Sequence, residues 1–258
     1  MNAVQDKREP NAMEDEHVVH MWQPFSFEVA PDYDYRRDGF VRRTMGFALR
    51  GAATVILSVV DRVFLGLKIE GWENLKGLGA RGAVTVSNHV HMMDCSMIDQ
   101  ALWNRRMYYV TLESNFRIPL VRHLIRVFGG VPLSKKPRAM ARMFEEMGKA
   151  LKAGAFVQVY PEGVLHPYYQ GLRPFKRGAF YLAVKNKVPV VPMVIAARKP
   201  RGLYRLYKRK PCLKLTILPP IYPKPFIGQK QAIDMLMKDC RAAMDAQLNA
   251  QRAGEQDR

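Results

Sequence analysis

A single α/β layered domain, with a mixed and mostly parallel sheet flanked by helices, is the fold class this sequence predicts. Three observations carry the prediction. From residue 82 onward, short apolar runs alternate with stretches of helical period, the pattern of a strand–helix layered chain rather than of separate all-β and all-α blocks. The chain has 258 residues, enough for one sizeable domain with terminal additions. Hydrophobic residues make up 48% of it and charged residues 25%, which suits a globular core.

Residues 1–40 read as a polar tail, disordered and without a secretory signal, because the first twenty are polar and mixed in charge. Residues 41–70 read as a helical segment at a membrane interface. The segment is basic at its start (Arg42, Arg43, Arg50) and apolar afterwards, and its uninterrupted apolar part, residues 51–60, is too short to span a bilayer, which takes about 20 residues. Phe47, Val55, Val59, Val63 and Phe64 exceed one helical stripe. Two placements stay open, a helix lying in the interface and a helix packed on the domain's own sheet.

Residues 71–222 form the expected catalytic domain. After a turn at "EGWENLKGLG", residues 82–88 read as a buried strand, 93–104 as a helix and 107–113 as a second strand. Residues 118–130 suggest a short helix ending at glycines, with "VPLS" a strand beyond it. Residues 137–153 are helical, with Met140, Phe144, Met147 and Leu151 spaced by three or four. Strand 155–163, helix 176–186, strand 188–197 and strand 212–221 follow. In residues 223–258, Ile233, Leu236, Met237, Cys240, Met244 and Leu248 make one stripe, which predicts a docked amphipathic helix. There is no internal repeat.

Lys and Arg number 41 against 23 Asp and Glu, a formal net charge of +18. Such an excess points to a polyanionic partner: nucleic acid, an anionic membrane or phosphorylated substrates. The three cysteines, Cys95, Cys212 and Cys240, lack CxxC spacing, which argues against a disulfide framework or zinc knuckle.

The chemistry-bearing stretch is "VSNHVHMMDCSM", residues 86–97. His89 and His91 with Asp94 have the look of half a metal site. Bimetallic hydrolases, however, place Asp four residues after the first His with a second His beside it, and here those positions are Met93 and Asp94, one step out of register. His17, His20, His123 and His166 supply no ligand-like pair, so no metal is expected. The alternative is a general base with its orienting carboxylate. Ser87 and Asn88 are turn and N-cap types at a strand end, where α/β sheets present chemistry. On an ideal helix, His89 and Asp94 would lie about 140° apart; they meet if His89 sits in the turn before the helix and folds back. One imidazole nitrogen then faces the carboxylate and the other can take a proton from a hydroxyl. The third reading is a polar turn with no chemical role.

Asn88-His89-x4-Asp94 resembles the NHxxxxD signature of the glycerolipid acyltransferase family, the 1-acyl-sn-glycerol-3-phosphate acyltransferase-like enzymes. Three further segments are similar in order and spacing: "FRIPLVRHLIRVFGGVPLSKK", "VYPEGVLHPYYQGLRPFKRGAFYLA" and "VPVVPMVI". The likeness covers residues 65–222. It implies that His89 deprotonates a lysophospholipid hydroxyl, with 1-acyl-sn-glycerol-3-phosphate as the first acceptor and phosphatidate as the product. Asp94 would orient His89, and the alkoxide would attack an acyl thioester, acyl-CoA or acyl carrier protein. No resident cofactor is implied. Glu162, Gly163 and Asn88 would bind substrate, and Lys135, Lys176 and Arg177 would clamp the phosphate.

Two departures bear on the acceptor. Lysine (Lys135 or Lys136) stands where the family has arginine, and Val164, Leu165 and His166 stand where it has Thr-Arg-Ser. A different lysolipid, such as one carrying an amino acid, or a lipid-binding member without activity, therefore remain as alternatives. Residues 198–211, "RKPRGLYRLYKRKP", mix cations with Leu203, Tyr204, Leu206 and Tyr207. They suit a membrane-docking patch better than base stacking. The expected placement is peripheral or monotopic on the cytoplasmic face of a membrane, with an anionic bilayer as partner and no nucleic acid.

Overall fold

The computed structural model describes residues 24–36, 39–226 and 228–256. Among the described residues seven strands form one sheet in the order β1-β7-β6-β2-β5-β3-β4. The strands are β1 Lys68–Glu70, β2 Ala83–Ser87, β3 Met107–Leu112, β4 Gly130–Leu133, β5 Phe156–Val159, β6 Val190–Arg198 and β7 Cys212–Ile217. The five from β6 to β4 run parallel, and β7 turns back antiparallel on β6 with β1 parallel to it. The expected mixed, mostly parallel sheet is thus found. β1 was not expected, and it closes the segment read as helical over 41–70.

The helices are α1 Phe40–Leu65, α2 Asp94–Ala101, α3 Val121–Val127, α4 Pro137–Lys152, α5 Gly178–Asn186, α6 Tyr204–Tyr207 and α7 Gln229–Gln256. Alternation along the central strands splits the core in two. Val84, Val86 and Val157 join Met147, Phe180, Leu236 and Met244 on one face. Ala83, Phe156, Val191 and Ile195 join Met97, Ile98 and Leu102 on the other. The stripe predicted for the last helix is buried, with Leu236, Cys240, Met244 and Leu248 each at most 2% exposed. Predicted strand 155–163 stops early because Pro161 has no N–H to give a ladder.

The expectation of a tail over 1–40 needs correction where the chain is described. Residues 1–23 lie outside the described residues, but 24–36 dock as a strap. Phe27 stacks on Phe116 at 4.7 Å, Val29 and Tyr35 are buried, and the Val29 N–H donates to Glu113 Oε1 at 2.8 Å. The run "PFSFEVAPDYDY" places its apolar residues at alternate positions, a signal lost when composition is averaged over the polar residues before it.

α1 inverts the usual amphipathic arrangement. It turns polar side chains inward: Arg50 pairs with buried Asp99 at 2.7 Å, Thr54 Oγ1 donates to the same carboxylate at 2.5 Å, and Asp61 accepts from Ser96 Oγ at 2.7 Å and Gln100 Nε2 at 2.5 Å. Burial pushes Asp61 up to about 6. Outward it presents Met45, Phe47, Val55, Ile56, Val59 and Phe64, all more than half exposed. The side chains of Arg42 and Arg43 lie outside the described residues. Gly66, at φ +57°, ends the helix, and a Cβ there would stand 2.5 Å from Cys212 Sγ. The carbonyls left over at this end are taken by the basic run. Tyr204 and Tyr207 hydroxyls donate to Arg62 and Val63 oxygens at 2.8 and 2.7 Å, and Lys208 Nζ donates to Phe64. No helix among the described residues is long and apolar enough to cross a membrane.

The Arg50–Asp99 pair predicts an asymmetric result in urea melts. Arg50→Ala strands a buried carboxylate and lowers unfolding free energy by about 3–5 kcal/mol. The double replacement Arg50→Met with Asp99→Leu recovers most of that loss.

Candidate active site

β2 is central, flanked by β6 and β5, and all five of its residues are buried. Its C-terminal end therefore delivers the following turn to a rigid edge, the same edge to which β5 and β6 deliver theirs. Asp94 opens α2 and is fully buried. One carboxylate oxygen, Oδ2, meets His89 Nδ1 at 2.9 Å and accepts the N–H groups of Val90 and His91 at 2.8 and 3.0 Å. The ring sits in the turn before the helix and folds back onto its first residue, as the base-and-orienter reading required. With Nδ1–H committed to the carboxylate, Nε2 is the nitrogen left to accept a proton. His91 is spent locally: its Nδ1 accepts the Met93 N–H at 3.1 Å, and burial holds it below the usual histidine range.

The N-cap of α2 is Met93, not Ser87 or Asn88. Asn88 is fully buried, and its amide exchanges two 2.8 Å bonds with the backbone of Ile195 on β6. That clamp, made by a side chain with no exposed surface, ties the end of β2 to β6.

The loop after β5 supplies the second half of the site. Tyr160 stacks on His89 with ring centroids 4.0 Å apart and planes at 16°. Glu162 is 5% exposed, and burial pushes its carboxyl up to about 8, against the pull of the neighbouring Arg173. At neutral pH most of it carries a proton. Gly163 has φ +76°, and a Cβ there would lie 3.2 Å from Lys176 Cε and Nζ. The position therefore needs glycine both for its backbone and for the lysine passing beside it. His166 N–H donates to His89 O, and Tyr168 N–H to Val90 O, each at 2.9 Å. These bonds stitch the two loops together. Burial, with Arg173 and His89 nearby, holds His166 below the usual range and hence neutral. Asp94 Oδ1, Tyr160 OH, Glu162 Oε1 and His166 Nε2 are all buried without a hydrogen-bond partner among the described residues.

The expected cations divide. Lys176 lies beside Gly163, and its backbone N–H is anchored to Pro161 O at 2.8 Å. Lys135 is exposed past the end of β4, three strands from β2 and so about 14 Å across the sheet. Arg177, half exposed, caps the start of α5. It pairs with Asp234 on α7 and borders a shallow depression with Phe144, Tyr181 and Ile233. Burial pushes the Cys95 thiol up to about 12, which leaves it a poor nucleophile. Among the described residues no three His, Cys, Asp or Glu side chains group as metal ligands would. Tyr160 and Arg173 were not singled out from the sequence; the aromatic directly before Pro161-Glu162 was the available signal for the first.

A model of the acyltransferase family matches residues 66–196. Human 1-acyl-sn-glycerol-3-phosphate acyltransferase beta is 34% identical over 139 residues, 53% of this chain and 49% of its own length. The 1-acyl-sn-glycerol-3-phosphate acyltransferase of Escherichia coli is 24% identical over 71% of this chain and 74% of its own. The crystal structure of the 1-acyl-sn-glycerophosphate (LPA) acyltransferase PlsC from Thermotoga maritima superposes with a TM-score of 0.53 at 26% identity, covering 72% of each chain. The chain spans half or less of the human and Brassica napus relatives it matches, 49% and 36%.

The raised Glu162 carboxyl gives a signed expectation for stability. A carboxyl at about 8 when folded, against 4.5 unfolded, contributes stability that is complete below 4.5 and lost as pH rises through 8. Glu162→Gln has no such loss. Its unfolding free energy should gain on the wild type between pH 5 and 8, by at most about 1.4 kcal/mol per pH unit, in denaturant melts run across that range.

Proposed function

This chain belongs to the acyltransferase family, and from that premise we propose that it moves a fatty acyl group from an acyl thioester to a hydroxyl of a lysophospholipid. 1-acyl-sn-glycerol-3-phosphate is the acceptor favoured by the relatives' names. The observation that carries the proposal is the His89–Asp94 contact at 2.9 Å, on a strand-end turn stitched to the loop that holds Glu162.

On this reading His89 Nε2 takes the proton of the acceptor hydroxyl as its oxygen bonds to the thioester carbonyl carbon. The tetrahedral adduct then collapses, the C–S bond breaks, and His89 returns its proton to the leaving thiolate, which restores the neutral base. The products are an ester and a free thiol. Asp94 keeps the imidazole in the right tautomer and balances the charge that forms on it. A positioned base contributes on the order of 10²–10⁴-fold, and the rest comes from alignment of the two substrates. Acyl-CoA or acyl carrier protein enters as co-substrate, and no resident metal or cofactor takes part.

Protonated Glu162 can donate to an acceptor oxygen and face an anionic headgroup without repelling it. Arg173 is the cation whose charge reaches Glu162, Lys176 lies beside Gly163, and Lys135 stands farther along the same edge. One observation favours a second acceptor class, a lysolipid with another headgroup. The turn after Gly163 offers buried Val164, Leu165 and a neutral His166, and none of these brings a charge to a phosphate.

The enzyme is proposed to work at the cytoplasmic face of a membrane, peripherally or as a monotopic protein. The outward apolar face of α1 supports this. So do Leu203 at the cap of α6 and Leu206 within it, 78% and 82% exposed, set among cations on a segment fastened to the end of α1. A groove of 590 Å³ between α1 and α2, lined by Phe47, Val55, Leu67 and Trp103, adds apolar surface on that side.

The test is transfer of label from acyl-CoA or acyl carrier protein to a panel of lysolipids. His89→Ala should lower turnover about 10²–10⁴-fold, with no response to chelator. Activity surviving in the variant would sink the base mechanism, and the panel names the acceptor. In flotation with vesicles, binding should need anionic lipid and weaken with salt. The double variant Leu203→Asp with Leu206→Asp should bind about tenfold or more weakly, since each buried leucine contributes about 1.5–3 kcal/mol.

A further inference from the structure

We propose that Tyr160 is the positioning residue of His89: its ring face holds the imidazole in its working orientation and stabilises the imidazolium formed as His89 takes a proton. The effect on turnover rests on the acyl-transfer reading above; the stack itself does not.

An imidazole N–H points along the plane of its ring, and His89 Nδ1 meets Asp94 Oδ2 at 2.9 Å. Such a bond fixes which edge of the ring faces the carboxylate but leaves the ring able to rock about the bond. A second ring parallel to it, 4.0 Å away and inclined by 16°, blocks that motion. The two contacts restrain the ring about different axes and leave Nε2 as the nitrogen outside the carboxylate bond. Tyr160 can serve as a fixed wall because it is itself immobilised. Pro161 follows it, its carbonyl accepts the Gly163 N–H at 3.0 Å, and its hydroxyl is buried.

The electrostatic part follows from the same geometry. Proton transfer to Nε2 spreads a positive charge over an imidazole whose face meets an aromatic face, and a cation within about 6 Å of a tyrosine centroid is attracted by the ring quadrupole. Asp94 meets that charge in the ring plane, and Tyr160 meets it from above. The other titratable or charged groups around the pair include His91 in its own turn, Cys95 beside Asp94 on α2, and Glu162, His166 and Arg173 in the loop after β5. Substitution at Tyr160 leaves all of them in place.

The test uses the full chain in detergent, with ¹H–¹³C NMR titration of the His89 ring beside acyl-transfer kinetics. It compares wild type, Tyr160→Phe, Tyr160→Leu and Tyr160→Met, the last two removing the face at different volumes in case one folds poorly. An imidazolium that has lost its π partner gives up its proton more readily. The Leu and Met variants should therefore titrate at His89 roughly half to one pH unit lower than wild type, while Phe stays within about 0.2. In turnover, kcat should fall about 3- to 30-fold in Leu and Met, with KM within about twofold, and the acid limb of the pH profile should move to lower pH. Phe should keep nearly full kcat. Unchanged midpoints in Leu and Met would overturn the proposal, as would a Phe variant as impaired as Leu, which would assign the role to the hydroxyl. Displaced midpoints in the Leu and Met variants, beside a wild type that transfers no acyl group, would support the stack and count against the acyl-transfer reading.

Discussion

A single buried carboxylate oxygen organises the working edge of this protein. Asp94 Oδ2 draws in the His89 ring and two consecutive backbone N–H groups, so the turn between β2 and α2 is wrapped around one negative charge at a helix start. That charge is favourable there because the first-turn amides of a helix carry positive partial charge. The turn would still be loose if it depended on Asp94 alone. Asn88 bolts its beginning to β6, and the backbone bonds from His166 and Tyr168 bolt it to the loop after β5. The histidine is thereby held by the three central strands of the sheet, and a base that must meet a hydroxyl within hydrogen-bond reach gains from that rigidity.

Burial sets the charge state of the groups around it. Glu162 is pushed up to about 8 and His166 is held down, so both are mostly neutral where a chain of formal charge +18 would suggest an intensely charged site. Cations stand near the site, as with Lys176 beside Gly163, or are spent on structure. Arg50 neutralises Asp99 inside the fold, Arg177 holds α7, and Lys208 caps α1. Much of the positive charge is therefore left to the surface, where it can meet an anionic partner. α1 follows the same logic in reverse: polar contacts fasten it to α2, which frees its apolar side chains to face outward.

Local pattern was enough for the layered architecture, because strands and helices announce themselves by period and their apolar faces must be buried against one another. The stripe of α7 and the helix–turn placement of His89 and Asp94 were legible for that reason. The docked strap at 24–36 was missed because its alternation is short and sits behind a polar stretch. The fastening contacts of Asn88 and Arg177 were not legible for a different reason. Each is a polar residue in a suggestive motif, and whether such a residue is free or consumed depends on partners 107 and 57 positions away.

The sequence by itself determined the fold class, the order of its main strands and helices from β2 onward, and the pair His89–Asp94 with Glu162 and Gly163 following at a strand end. These rest on period, spacing and residue chemistry, which are properties of the chain. Only the tertiary structure decided that Tyr160 faces His89, that Glu162 holds its proton near neutrality, that Asn88 and Arg177 serve as fasteners, and that α1 turns its apolar side away from the domain. Those outcomes depend on which distant atoms meet and on how far water is excluded from them, and both are set only when the layers close.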